Sequence, residues 1–191
     1  PYLAEMIGSI SRQTYPVHTY IAEDRSDDGT HDWLQQNPDS WSGLRRNGKR
    51  LGWAGSLNAA ARLALADGCD ALLTASADDK LHPKCVARCV TALEADSLDF
   101  VVPYARQFGA ATHVQASLPD ATLDDFAVWP PLIDKALIRR EVWEKVRGYS
   151  PKATLPGSYG CAEDWEFWIK VWKAGLSRYA VIEQPLYYVR V

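Results

Sequence analysis

Two adjacent carboxylates, Asp78 and Asp79, end a short apolar run in the stretch Leu72–Pro83, LLTASADDKLHP. The run reads as a buried strand, and the proline four residues beyond the acids opens a helical pattern. Side-by-side carboxylates repel each other unless a cation or a proton lies between them. A divalent ion that also carries a phosphate meets that condition. The C-terminal end of a strand is also where open α/β sheets bind ligands. Capping a helix at Pro83 would account for one acid near the helix start, but not readily for two. Ser76 stands two residues before Asp78, where a third acid would complete the set.

Three further groups have chemistry of their own. Glu23 and Asp24 close an earlier apolar run. Acids there can accept hydrogen bonds from a nucleobase N–H or a ribose hydroxyl. Asp27, Asp28 and Gly29 also make a turn that needs no ligand, so both readings stand. Asn47–Asn58, NGKRLGWAGSLN, offers glycines that let a backbone approach a ligand, followed by a helix N-terminus that favours an anion. It matches neither a P-loop nor a dinucleotide fingerprint, so a structural loop is the alternative. In Cys161–Gly175, CAEDWEFWIKVWKAG, the acids Glu163 and Asp164 head a helix. They serve as caps, or include a general base that takes a proton from an attacking hydroxyl. Trp165, Trp168 and Trp172 then share one face, a spacing that suits core packing.

These groups need a scaffold of alternating strands and helices. Pro1 suits a first helical position, and Leu3, Met6, Ile7 and Ile10 form one helical face that ends at Gln13–Pro16. Strands are expected over Val17–Ala22, Trp41–Arg46, Ala71–Ala75 and Leu98–Pro103. Between them fall a short helix containing Trp33 and Leu34, a glycine-rich loop over Gly48–Gly55, and helices over Leu57–Leu65 and Pro83–Leu93. That alternation predicts an α/β fold with a mostly parallel, Rossmann-like sheet flanked by helices. Gly109–Asp125 has no clear period. Ile133–Ile138 reads as a strand, Arg140–Val146 as a helix, Pro151–Gly160 as a loop, and Leu176–Ile182 and Leu186–Val191 as late strands. No repeat or linker divides the chain, so residues 1–191 are expected to form one domain.

The chain of 191 residues is long enough for a substantial core, and its formal net charge of -3 offers no basic field for nucleic acid. No apolar run approaches the roughly 20 residues of a membrane helix. The four cysteines, Cys69, Cys85, Cys89 and Cys161, lack zinc spacing and are expected to be free thiols, which fits a reducing compartment. A cytoplasmic location follows as an expectation, with peripheral association of a parent protein at the inner face of a membrane as an option. With no initiator Met, the chain is expected to be an internal piece of that parent.

Taken in order, the motifs resemble those of family 2 glycosyltransferases with the GT-A nucleotide-sugar fold. PYLAEMIGSISRQTYP resembles the family's first helix, IAEDRSDDGT its strand ending in "DDGSTDGT", and NGKRLGWAGSLNAA its "N.G...a.N.g" segment. LLTASADDKLHP resembles "LDADDxLxP", ALIRREVWEKVRGY resembles "frRevfe.vGgf", CAEDWEFWIKVWKAG resembles "EDwdlwlr...G", and IEQPLYYVRV resembles "i..pLyyyR". The resemblance implies an inverting hexosyltransferase-like enzyme of polysaccharide biosynthesis. Its donor would be a UDP-, dTDP- or GDP-sugar and its acceptor a glycan or lipid-linked hydroxyl. Asp164 maps to the general base. Glu23, Asp24, Asn58, Ser76, Ala77, Asp78 and Glu163 map to nucleotide-sugar contacts, and Asp78 and Asp79 to ligands of Mg²⁺ or Mn²⁺. Ser76 replaces the first acid of the "DxD" pattern, Glu23 an aspartate, Arg25 a glycine, and Leu57 a basic residue. The family's first strand precedes this first helix, so the fragment is expected to lack it and to stop short of acceptor-side elements. A non-catalytic nucleotide-sugar or glycan-binding domain is the rival reading. Nucleotidyl transfer on a similar fold is a third.

Overall fold

The computed structural model describes residues 2–151 and 162–191. The expectations for Pro1, for the 151–160 loop beyond its first residue and for Cys161 lie outside those residues.

Helix α1 (Tyr2–Ser11) forms as its apolar spacing predicts, with Met6 buried and Ile10 packed beside it. Strand β1 (Tyr20–Glu23) pairs in parallel with β2 (Gly43–Arg46) across the short helix α2 (Thr30–Gln36), making a two-stranded sheet. Helix α3 (Gly52–Ala66) begins inside the segment expected to be a glycine-rich loop. Gly52 opens the helix at φ +73°, a conformation that favours glycine, and Ala54, Gly55 and Ala59 are buried within it. Strand β3 (Ala71–Leu73) leads to the acid pair, and β4 (Lys80–Leu81) and α4 (Cys85–Ala95) follow. Strand β5 (Phe100–Phe108), the short β6 (Val114–Gln115), β7 (Leu137–Arg139), α5 (Arg140–Val146), α6 (Glu163–Lys173) and β8 (Tyr179–Arg190) complete the order.

The α/β architecture expected from the alternation is present, but the larger sheet is mixed rather than mostly parallel. Its order is β3-β7-β5-β8-β4, with β6 beside β5. β5 and β8 pair in parallel, whereas β7 runs antiparallel between β3 and β5, and β4 antiparallel to β8. Helical crossovers dictate parallel neighbours; β7 and β4 are reached by irregular connections, which carry no such constraint. The two late strands expected near the C-terminus are one strand. It bridges Pro185 through register shifts opposite Pro103–Ala105.

Two apolar clusters flank the sheet. One joins Phe100, Phe126, Trp143, Tyr149, Phe167 and Trp168. Trp168 lies 4.6 Å from Phe100 and Trp172 4.9 Å from Phe126, so the tryptophan stripe of α6 packs the core. The other cluster holds Met6, Val101, Tyr187 and the free, buried Cys85 and Cys89. Between the two sheets runs a cleft of about 760 Å³, lined by Leu3 and Ile7 of α1 and by the facing edges of β1 and β3. Among the described residues, no helix is long and apolar enough to cross a membrane.

Candidate functional site

The end of β1 builds the first part of the site. Glu23 is buried, and its carboxylate turns inward. The Ser26 N–H donates to Oε1 at 2.5 Å, and Arg46 Nε of β2 lies 3.0 Å from Oε2. Asp24 faces the opposite way, onto the start of α3. Its Oδ1 accepts from Asn47 Nδ2 at 2.8 Å and from the Leu51 N–H at 2.7 Å, and Oδ2 accepts from the Gly52 N–H at 2.9 Å. A residue from another strand thus caps a helix whose own N-cap, Leu51, has no polar side chain. Burial alone would raise the Asp24 pKa, but these donors outweigh it and hold the carboxyl below its ordinary value. Arg25, standing where the family pattern has glycine, sits at φ +63°.

The acid pair closes β3 as a tight turn, with the Asp79 N–H donating to the Ser76 carbonyl at 3.3 Å. Ala77 and Asp78 are exposed at its tip, while Asp79 is 2% exposed. Asp79 turns to β8. Its Oδ2 accepts from the Tyr187 hydroxyl at 3.0 Å, and its Oδ1 from the Arg190 N–H at 3.0 Å. Burial raises its pKa, against the pull of those donors and of Lys135. Lys135 Nζ lies 3.8 Å from Asp79 and 2.8 Å from Asp134. Ser76 offers its N–H to the Tyr187 hydroxyl at 3.4 Å.

The third part is the start of α6. Glu163 and Asp164 are half-buried in its first turn, and Asp164 Oδ1 accepts from the Trp165 N–H at 2.8 Å. Burial raises the Asp164 pKa, and the charges of Asp134 and Glu163 push it the same way. Asn58 does not reach toward this space. Its amide closes a two-way bond with the Tyr149 backbone, Nδ2 to the carbonyl at 2.7 Å and Oδ1 from the N–H at 2.9 Å. Tyr149 in turn packs against Trp53 of α3 at 5.0 Å and Phe167 of α6 at 4.8 Å, joining the start of α3 to the start of α6.

The structure therefore gathers Ser76, Asp78 and Asp79 at one turn and places Asp24 and Glu23 at another. Asp134, Lys135, Tyr187 and Arg190 belong to the same constellation but went unread. A visible signal existed for the first two: a charged pair, Asp134–Lys135, interrupts the apolar run Leu132–Ile138. Charges heading into a core must be matched there. Among the described residues, no group of three or more His, Cys, Asp or Glu could hold a metal ion. Asp78 is the exposed carboxylate of the turn. One carboxylate plus substrate phosphates and water is a normal way to hold Mg²⁺, so the residues present fit an ion brought with its ligand.

Solved structures share this fold. The structure of S. aureus TarS residues 1–349 with UDP aligns at TM-score 0.79 and 16% identity, over 100% of this chain and 56% of that one. The same TarS fragment with UDP-GlcNAc also aligns at TM-score 0.79 and 16% identity, over 100% of this chain and 55% of that one. GalNAc-T7 with UDP, GalNAc and Mn²⁺ aligns at TM-score 0.67 and 16% identity, over 99% of this chain and 40% of that one. The fold is thus the GT-A fold of glycosyltransferases, and the chain spans little more than half the length of the TarS fragment. No curated protein sequence matches the chain. The model of glycosyl transferase family 2 matches residues 1–155, so the chain belongs to that family.

Proposed function

We propose that the domain transfers a sugar, with inversion, from a nucleoside diphosphate donor to a hydroxyl of a glycan or lipid-linked acceptor. The observation that carries this reading is the contrast between two acids. Asp24 is engaged by a ring of donors that hold its carboxyl below the ordinary value, whereas half-buried Asp164 accepts from the Trp165 N–H and is raised by burial and by the neighbouring Asp134 and Glu163 charges. In this reading the turn at Ser76, Ala77 and Asp78 faces the diphosphate, with Asp79 fixing the turn from behind. A Mg²⁺ or Mn²⁺ ion at Asp78 would supply Lewis-acid stabilisation of the departing diphosphate. Asp24 and Glu23 shape the nucleoside end, and Asn58 acts through Tyr149. Asp164, beside Glu163, takes the proton of the acceptor hydroxyl. The oxygen then bonds to the anomeric carbon as that carbon's bond to phosphate breaks, and the diphosphate leaves with the electron pair.

The neighbours that carry UDP or UDP-GlcNAc support a nucleotide-sugar partner. Asp164→Asn tests the assignment. UDP release from UDP-GlcNAc, UDP-glucose or UDP-galactose with Mn²⁺ is expected to fall at least ~100-fold, the scale of general-base catalysis. Calorimetric UDP affinity is expected to stay within about twofold, since Asp164 contacts no part of the nucleotide in this reading. Undiminished turnover would refute the base assignment. A second reading, a binding domain without turnover, draws on Ser76 in the acid position and on the engagement of both Asp79 oxygens. Mn²⁺-dependent UDP binding by a wild type that releases no UDP from any of these donors would favour it.

A further inference from the structure

We propose that Arg190 is a positioning residue that holds the Asp78 turn in the geometry the donor requires; this rests on the transfer reading above. Its side chain is clamped on three sides. The guanidinium carbon lies 4.1 Å from the Tyr2 ring centroid and 4.4 Å from that of Phe108, and one terminal nitrogen pairs with Glu5. A guanidinium stacked between rings and paired with a carboxylate has few orientations left. Nε donates to the backbone carbonyl of Asp78 at 2.9 Å. One residue on, the Arg190 main-chain N–H holds Asp79 Oδ1 at 3.0 Å. Glu5 also takes Lys80 Nζ at 2.7 Å, so the first turn of α1 and the end of β8 together grip residues 78–80.

This grip separates the two acids. The Asp79 carboxylate is drawn to β8 and the Asp78 carbonyl to Arg190 Nε, while the Asp78 side chain stays exposed. Arg190 touches neither carboxylate of the pair through its side chain, so it acts through the turn's backbone. Because Asp79 is held by the Arg190 main chain and by Tyr187, truncating the Arg190 side chain leaves that anchor in place while it frees the Asp78 carbonyl and removes the contacts with Glu5, Tyr2 and Phe108.

The test is Mn²⁺-dependent UDP binding, by calorimetry, alongside thermal melts. Arg190→Ala is expected to weaken UDP binding in saturating Mn²⁺ by roughly tenfold, the worth of one charge-assisted hydrogen bond. Binding in EDTA should move by less than about twofold. Arg190→Lys keeps the charge but not the forked geometry, and is expected to behave like Arg190→Ala. Glu5→Gln breaks the ion pairs yet leaves Nε and the Asp78 carbonyl in place. It should lower the melting temperature without changing the Mn²⁺-dependent affinity. Retention of that affinity in Arg190→Ala would overturn the proposal. So would its full recovery in Arg190→Lys, or an equal loss in Glu5→Gln, since either would make charge or general stability the cause. A wild type without any UDP affinity would instead overturn the transfer reading on which the proposal stands. Should Arg190→Ala fail to fold, the Arg190→Lys and Glu5→Gln comparison decides alone.

Discussion

Replacing Asn58 with Asp exchanges one NH₂ group for oxygen and leaves size and shape unchanged, so it isolates a single hydrogen bond. In the wild type the Asn58 amide bonds both backbone groups of Tyr149, ninety-one residues away, at 2.7 and 2.9 Å. Tyr149 is 3% exposed, so water cannot take over either bond. In Asn58→Asp the Tyr149 N–H keeps its acceptor, but the carbonyl loses its donor and faces a carboxylate oxygen. A buried polar group left unpaired costs about 1–3 kcal/mol, and more when charge is involved. Asn58→Ala strands both groups, for roughly 2–5 kcal/mol in total. At about 2–4 °C per kcal/mol for a chain of this size, Asn58→Asp should melt roughly 2–12 °C lower and Asn58→Ala roughly 4–20 °C lower. Urea melts with unchanged slope would measure the difference directly. The Asp variant should recover part of its loss in acid, where protonation returns a donor. If Asn58→Asp unfolded at the wild-type urea concentration near neutral pH, the clamp would be no support for the fold.

Three other outcomes follow from the same structure. The raised pKa of Asp164 means its charged form is the one burial penalises, so the stability tied to protonation is present at low pH and lost as pH rises through the folded value. Asp164→Asn should therefore melt higher than wild type near neutral pH, with the advantage vanishing in acid, while wild-type turnover should fall on the acid side at a higher pH than an ordinary carboxylate would give. Lys135→Met leaves Asp79 and Asp134 without their shared cation. It should cost about 3–5 kcal/mol in chemical denaturation, largely restored by adding Asp134→Asn. Arg25→Gly relieves a left-handed backbone, and a gain of roughly 0.5 kcal/mol is expected; a loss would mean that the Arg25 side chain holds the turn.

Periodicity revealed where the elements lie, because the α1 face, the α6 tryptophans and the apolar run into Asp78 are local patterns. It did not reveal strand direction. β7 enters between β3 and β5 because of where the irregular residues before it travel, and no local spacing encodes that. The start of α3 was missed for a related reason: its cap is Asp24, twenty-seven residues from Leu51, so no N-cap residue marks the boundary. At the site, acid types were legible and their orientations were not. Asp78 and Asp79 are equivalent on paper. Tyr187 and Arg190, more than a hundred residues later, make one buried and fixed and leave the other free.

Asp24, at the end of β1, caps α3 in place of a side chain on that helix, so the first turn of α3 and the turn after β1 should open together. Native-state amide exchange at Leu51 and Gly52 should therefore track exchange in β1.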